Sequence, residues 1–270
     1  MTIKTSIGPA LLLALLAAPA AADLKYTARV SARASTVPMA TVATPNPFLA
    51  MIASLIVSTV APADGLDTTA SVSASGTRTD YRQAFAMVPA GGALIARADG
   101  TTVILDPAAK TYSRVPRVDG AALGGVTPKM TFKHTGEFVT IAGARAERLT
   151  IETRIALPVP GGAARPAGMP AEVIVTGDVW VAERYKNYAE LMARSTGVIS
   201  AFGLDRLASE GLVMRSIMRG ELFGDREIET VITQLSEEPV PVGSYDIPAG
   251  FTEAAAPIVL PAGAAPKARD

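Results

Sequence analysis

The sequence predicts an α+β protein built on one curved antiparallel β-sheet of about 9 to 11 strands, with one face covered by helices. Three observations carry this prediction. Long stretches alternate between apolar and polar residues, turn dipeptides recur at hairpin spacing, and helical periodicity is confined to two places.

The chain opens with an export signal. Lys4 precedes an apolar run from Ala10 to Ala18, and Pro19-Ala20-Ala21-Ala22 forms an A-x-A cleavage site before Asp23. Residues 1–22 are therefore excluded from the fold, residues 23–253 are expected to form a single domain, and 254–270, rich in Ala and Pro without periodicity, are expected to be a disordered tail. Removing the signal leaves 248 residues (270 minus 22), with 24 basic and 25 acidic side chains. A balance so near zero gives no electrostatic handle for nucleic acid. Cysteine is absent, which excludes disulfides, thiolate metal ligands, a thiol nucleophile and a lipidated N-terminal cysteine. No apolar run after the signal reaches the roughly 20 residues a membrane-spanning helix needs, so the expected compartment is the periplasm.

From Leu24 to Ala34 every second residue is apolar or aromatic while Lys25, Thr27, Arg29, Ser31 and Arg33 take the other positions, the pattern of a half-buried strand. "PFLAMIASLIVSTV", Pro47 to Val60, is too short to span a bilayer and reads as a helix that either fills the core or serves as a lid. Alternation resumes at Leu66 and extended character is expected to continue through "GTRTDYRQAFAMV". Hairpins follow at Asp99-Gly100, Asp106-Pro107, Ala142-Gly143 and Phe223-Gly224-Asp225, which together predict a meander. Pro158 to Pro170 has too much Pro and Gly for a regular element and reads as a loop. After "VIVTGDVWVA", Tyr185, Tyr188, Leu191, Met192, Ser195, Ile199 and Phe202 recur at helical steps, and Leu204 to Ala208 extends that region.

Motifs for chemistry are missing. His134, the one imidazole in the chain, stands near Glu137 in "TFKHTGEF" and reads as a solvated strand-end residue. Asp178 and Glu183 flank Trp180, but surface exposure and a helix start account for them. The arginines of "SGTRTDYRQ" and "GARAERLTIETR" alternate with Asp80, Glu147 and Glu152, as on a solvated sheet face. No phosphate loop, nucleophile elbow, cofactor fingerprint or metal-ligand spacing occurs, so no catalytic residue, metal ligand or cofactor is assigned.

The order of the segments "TVILDPAAKTYSRVP", "GEFVTIAGARAERLTIE", "GDVWVAERY" and "SYDIPAGF" resembles the uncharacterised periplasmic domain families of the lipoprotein-localisation superfamily, the fold of the carriers LolA and LolB. The likeness spans roughly Asp23 to Glu253 and includes Asp106, Lys110 and Tyr112 of a D-x-x-x-K-x-Y turn. The resemblance implies an open half-barrel with an apolar concave face closed by helices. The longer first helix and the Pro158 to Pro170 loop depart from the carriers. Phe48, Met51, Ile52, Leu55, Ile56, Trp180, Tyr185 and Met192 are accordingly the candidate lining or lid of an apolar cavity. The expected function is non-enzymatic binding of an apolar ligand (lipid, acyl chain or lipoprotein) in the cell envelope. The alternative is a periplasmic interaction module with a filled core that docks an envelope or outer-membrane partner.

Overall fold

The computed structural model describes residues 23–35, 65–85, 87–115, 128–156, 170–195, 205–220 and 223–255. The helix expected at Pro47 to Val60, the export signal, nearly all of the Pro158 to Pro170 loop and all but the first two residues of the tail lie outside them. Six strands come first: β1 (Leu24–Ala34), β2 (Leu66–Ser73), β3 (Gly76–Tyr81), β4 (Ala93–Arg97), β5 (Thr102–Asp106) and β6 (Thr111–Val115). Three long ones follow, β7 (Lys129–Ile141), β8 (Ala144–Ala156) and β9 (Glu172–Ala182). A 3₁₀ turn (Glu183–Tyr185) leads into helix α1 (Lys186–Ser195), and the short helix α2 (Asp205–Ala208) precedes β10 (Leu212–Gly220), β11 (Arg226–Glu237) and the two-residue β12 (Thr252–Glu253).

The strands form one twelve-stranded sheet in the order β12-β6-β5-β4-β3-β2-β1-β11-β10-β9-β8-β7. All neighbours are antiparallel except β12 and β6. The chain thus makes two meanders, β1 to β6 and β7 to β11, joined where β1 pairs with β11 over its whole length. Because neighbouring strands rotate by about −20° relative to each other, a sheet this wide cannot remain flat. Register irregularities between Thr27 and Ala28, between Val213 and Arg215 and between His134 and Phe138 add local bends. Turn chemistry fixes the β7–β8 hairpin, where Ala142 (φ 47°) and Gly143 (φ 82°) both occupy the left-handed region, as a two-residue type I′ turn demands. In mid-β9, Gly177 lies against the Ile217 carbonyl and the Met218 sulfur, so a Cβ there would collide with β10.

Residues paired across strands share a face, so the register defines two surfaces. One carries both helices. There, Tyr185 of the 3₁₀ turn and Ala189 of α1 pack on Leu24, Ala28, Val72, Met214 and Ile232. The fully buried Leu207 of α2 packs on Met130, Leu149, Ile151, Val179 and Val181. The other face is covered at its β4–β6 end by the C-terminal segment, whose Val240, Tyr245, Ile247 and Phe251 lie on Ala93, Ile95, Val103 and Leu105. That strap is tied down by Arg78 donating to the Ser244 carbonyl (3.0 Å), Arg97 to the Tyr245 carbonyl (2.9 Å) and the Val240 amide to Asp23 (2.7 Å).

The sheet exceeds the expected strand range by one. The additional strand is β12, two residues whose parallel pairing no sequence period announces. Extended structure also stops at Tyr81, earlier than "GTRTDYRQAFAMV" suggested, because Phe85 and Val88 exchange backbone hydrogen bonds (2.9 and 2.8 Å) and reverse the chain. With two described helices, both short, the sheet dominates the architecture.

Candidate functional site

The helix face is apolar across most of the sheet. From the β6 end inward, Ile104, Leu94, Thr79, Ala70 and Tyr26 are successive register partners on five strands, and Leu235 of β11 follows beside Tyr26. Above Tyr26 lies α1, amphipathic because Tyr185, Tyr188, Ala189, Leu191 and Met192 share a stripe. Tyr185 is buried, whereas Tyr188, Leu191 and Met192 stay half-buried around the cluster. The Tyr26 hydroxyl donates to the Met192 sulfur at 3.8 Å. Burial, and secondarily the phenol of Tyr81, pushes the Tyr26 hydroxyl far above the ordinary tyrosine range. Tyr81 and Tyr188 are pushed the same way, chiefly by burial. Phenols held neutral at any physiological pH act here as apolar rings with one polar atom each.

At the β5–β6 end of the same face the surface dips into a groove of about 300 Å³ lined by Ala84, Met87, Val88, Pro89, Ile104, Asp106, Thr111, Ser113 and Ala255. Its bed exposes apolar and polar surface in nearly equal measure. Polar atoms come from Asp106, which also accepts the Ala109 amide (3.0 Å), and from Thr111 and Ser113.

Of the residues singled out from sequence, Tyr185 and Met192 meet at the cluster beneath α1. Trp180 packs against the edge of that cluster, yet its register partners are Arg148 and Arg215, whose guanidinium carbons lie 5.9 and 4.8 Å from its ring centre. It stands on the face opposite Tyr26, among charges. Phe48, Met51, Ile52, Leu55 and Ile56 lie outside the described residues.

The charged face carries a construction that no sequence period reveals. Arg33, Glu227, Arg219, Asp178, Arg148 and Glu137 come one from each of β1, β11, β10, β9, β8 and β7, alternate in sign, and bond in that order. Arg33 pairs with Glu227; the remaining four contacts span 2.8 to 3.0 Å. Glu227 is wholly inaccessible, and burial alone would raise its carboxyl. Arg33 and Arg219 overcome that and hold it below the usual range, as Arg148 and Arg219 do for Asp178. Of the arginines expected on a solvated sheet face only Arg148 joins this row, whereas Arg78 and Arg154 pair with the exposed Asp80 and Glu152 as expected; Asp178, expected at the surface, is largely buried within the row.

His134 is half exposed within β7. Its Nδ1 lies 3.1 Å from Glu147 of β8 and its Nε2 3.4 Å from Glu210 just after α2, with Glu137 instead engaged by Arg148. Hydrogen bonding to Glu147, against a smaller effect of burial, raises its pKa above the ordinary imidazole value. Among the described residues no group of three or more His, Cys, Asp or Glu can hold a metal ion. Among the same residues no helix is long and apolar enough to cross a membrane.

No family model and no curated protein matches the chain. Two of the similar solved structures are PNGF-II in a C2 space group (11% identity, TM-score 0.38, covering 87% of this chain) and a LolA superfamily protein from Nitrosomonas europaea (7% identity, TM-score 0.29, covering 82% of this chain and 88% of that one). The chain spans 31% of the length of the PNGF-II structure. Likenesses at these TM-scores carry no argument about function, which rests on the residues themselves.

Proposed function

We propose that the protein is a non-enzymatic binder of an apolar ligand, a lipid, an acyl chain or the acyl part of a lipoprotein, in the periplasm of the cell envelope. The binding surface is the helix side of the sheet between α1 and the β5–β6 groove. One observation carries this reading: a row of apolar and neutral side chains, from Ile104 through Leu94, Ala70, Tyr26 and Leu235, leads from an open groove to the half-buried Met192 and Leu191 without a charge in it. A groove of about 300 Å³ is at the lower end of small-molecule sites and suits one end of a chain-like ligand. Methionine and tyrosine at the helix end supply adaptable apolar contacts with few fixed polar demands. The segment order shared with the LolA/LolB superfamily and the export signal at residues 1–22 point in the same direction.

Binding of a fluorescent fatty-acid probe tests it. Mature wild type binds the probe saturably, Leu94→Asp and Met192→Asp lose that binding while far-UV circular dichroism remains that of wild type, and His134→Ala retains it. A wild type that takes up no probe overturns the reading and favours an interaction module with a filled core.

A further inference from the structure

The two ends of the sheet are finished differently. At one end β6 is covered by β12, with the Thr252 amide donating to Lys110 (3.1 Å) and the Ala254 amide to Tyr112 (2.8 Å). At the other end β7, thirteen residues long, pairs among the described residues with β8 only. An uncovered edge is a template for a further strand, and proteins blunt such edges with charges, bulges and covering segments. The first half of β7 has all three. Lys129, Lys133 and His134 are exposed charges or titratable groups, and Arg206 of α2 donates to the Met130 carbonyl (2.7 Å). The register breaks between His134 and Phe138, where Gly136 has φ 74° and the Thr135 hydroxyl donates to the Arg148 carbonyl (2.8 Å).

Beyond that break the guards stop. Phe138-Val139-Thr140-Ile141 carries two large exposed apolar side chains, Phe138 at 47% and Val139 at 44%, one on each face of the sheet. The hairpin fixes which backbone groups are free. In a two-residue type I′ hairpin the closing pair, Ile141 with Ala144, is hydrogen-bonded, and bonded pairs recur at every second residue, next at Val139 with Ala146. The N–H and C=O of Phe138 and Thr140 therefore point outward. Beside them the Arg145 guanidinium stacks on the Phe138 ring at 3.6 Å and has no carboxylate partner among the described residues, unlike Arg148 and Arg154 on the same strand.

We propose that Phe138–Ile141 is a docking edge for an extended strand of another protein, one that is apolar at alternate positions and carries a carboxylate where it meets Arg145. Backbone hydrogen bonds to Phe138 and Thr140 supply the register, the exposed Phe138 and Val139 supply apolar contact, and Arg145 selects an acidic partner by charge complementarity. A second copy of this chain fits less well, because its edge would present Glu137, already bonded to its own Arg148.

The test uses an acetylated, amidated heptapeptide alternating valine and threonine with one aspartate, and its asparagine counterpart, titrated into isotope-labelled mature protein to about 1 mM, the affinity range expected of so small a contact. Amide shifts confined to Phe138–Ile141 are expected. They should vanish in Thr140→Pro, which removes an outward donor and leaves the β7–β8 bonds in place. In Arg145→Gln the preference for the aspartate peptide should fall by about threefold or more while asparagine-peptide binding is unchanged. No shifts at the highest concentration, or shifts that survive in Thr140→Pro with its hairpin intact, overturn the proposal. Shifts that persist with no aspartate preference in wild type overturn the role of Arg145.

Discussion

Across six strands the same stretch of sheet carries two rows of opposite character, one residue apart in sequence on four of those strands. On the outer face Arg33, Glu227, Arg219, Asp178, Arg148 and Glu137 form the ion row. On the helix face Ala32, Ile228, Met218, Gly177, Ile151 and Phe132 are register partners in the same strand order. Moving one residue along β1, β11, β10 or β9 exchanges a charge for an apolar group. The comparison separates two duties. The ion row ties β1 to the β7–β11 meander and continues across every strand of it, and the apolar row leaves a surface on which the helices pack.

The largest effect is expected where the ion row is buried. Glu227→Gln leaves the Arg33 and Arg219 guanidiniums facing an uncharged partner at a site with no solvent, and should cost about 3 kcal/mol. Urea denaturation measures it. On the opposite row Ile151→Ala should cost about 2 to 4 kcal/mol through the cavity it leaves against Leu149, Val179 and Leu207. If Glu227→Gln proves neutral while Ile151→Ala does not, the outer face is decoration and the helix face alone holds the sheet.

Acid sharpens the same contrast. Glu227 and Asp178 have folded-state pKa values below the ordinary carboxylate range, so their contribution is fully present above the unfolded value near 4 and disappears as pH falls through the lower folded values. Melting temperature should therefore drop as pH falls below about 4, and the drop should shrink in Asp178→Asn. Equal pH dependence in wild type and variant would contradict a stabilising ion row.

A smaller effect is expected at His134. Its folded pKa is raised, so the contribution is fully present below the unfolded value near 6.5 and is lost as pH rises through the folded one. The side chain is half exposed, so solvent screening keeps the contribution within roughly 1 kcal/mol. With one histidine in the chain, a single imidazole resonance reports the titration. Its midpoint should lie above 6.5 and fall in Glu147→Gln.

Much of the fold was legible because it is local. The alternation of Leu24 to Ala34 is β1, the turns at Asp99-Gly100 and Ala142-Gly143 join β4 to β5 and β7 to β8, and the stripe from Tyr185 to Met192 is α1 with its 3₁₀ lead-in. What escaped depends on register between distant segments. Arg33 and Glu227 are 194 residues apart and His134 and Glu210 are 76 apart, so neither contact leaves a mark in any window of sequence. The same holds for Trp180. Its alternation with Val179 and Val181 tells that it faces away from them, but which face the helices cover is seen only in the packing of Leu207 on Val179 and Val181.

The central claim is that the helix side of the sheet holds an apolar ligand, and native mass spectrometry of mature protein, freshly purified from the periplasm without detergent, tests it most directly. The account predicts a population heavier than the apo mass by that of a lipid or acyl chain, released on collisional activation and absent from Met192→Asp. A single species at the apo mass in wild type, under conditions that preserve the fold, would contradict it.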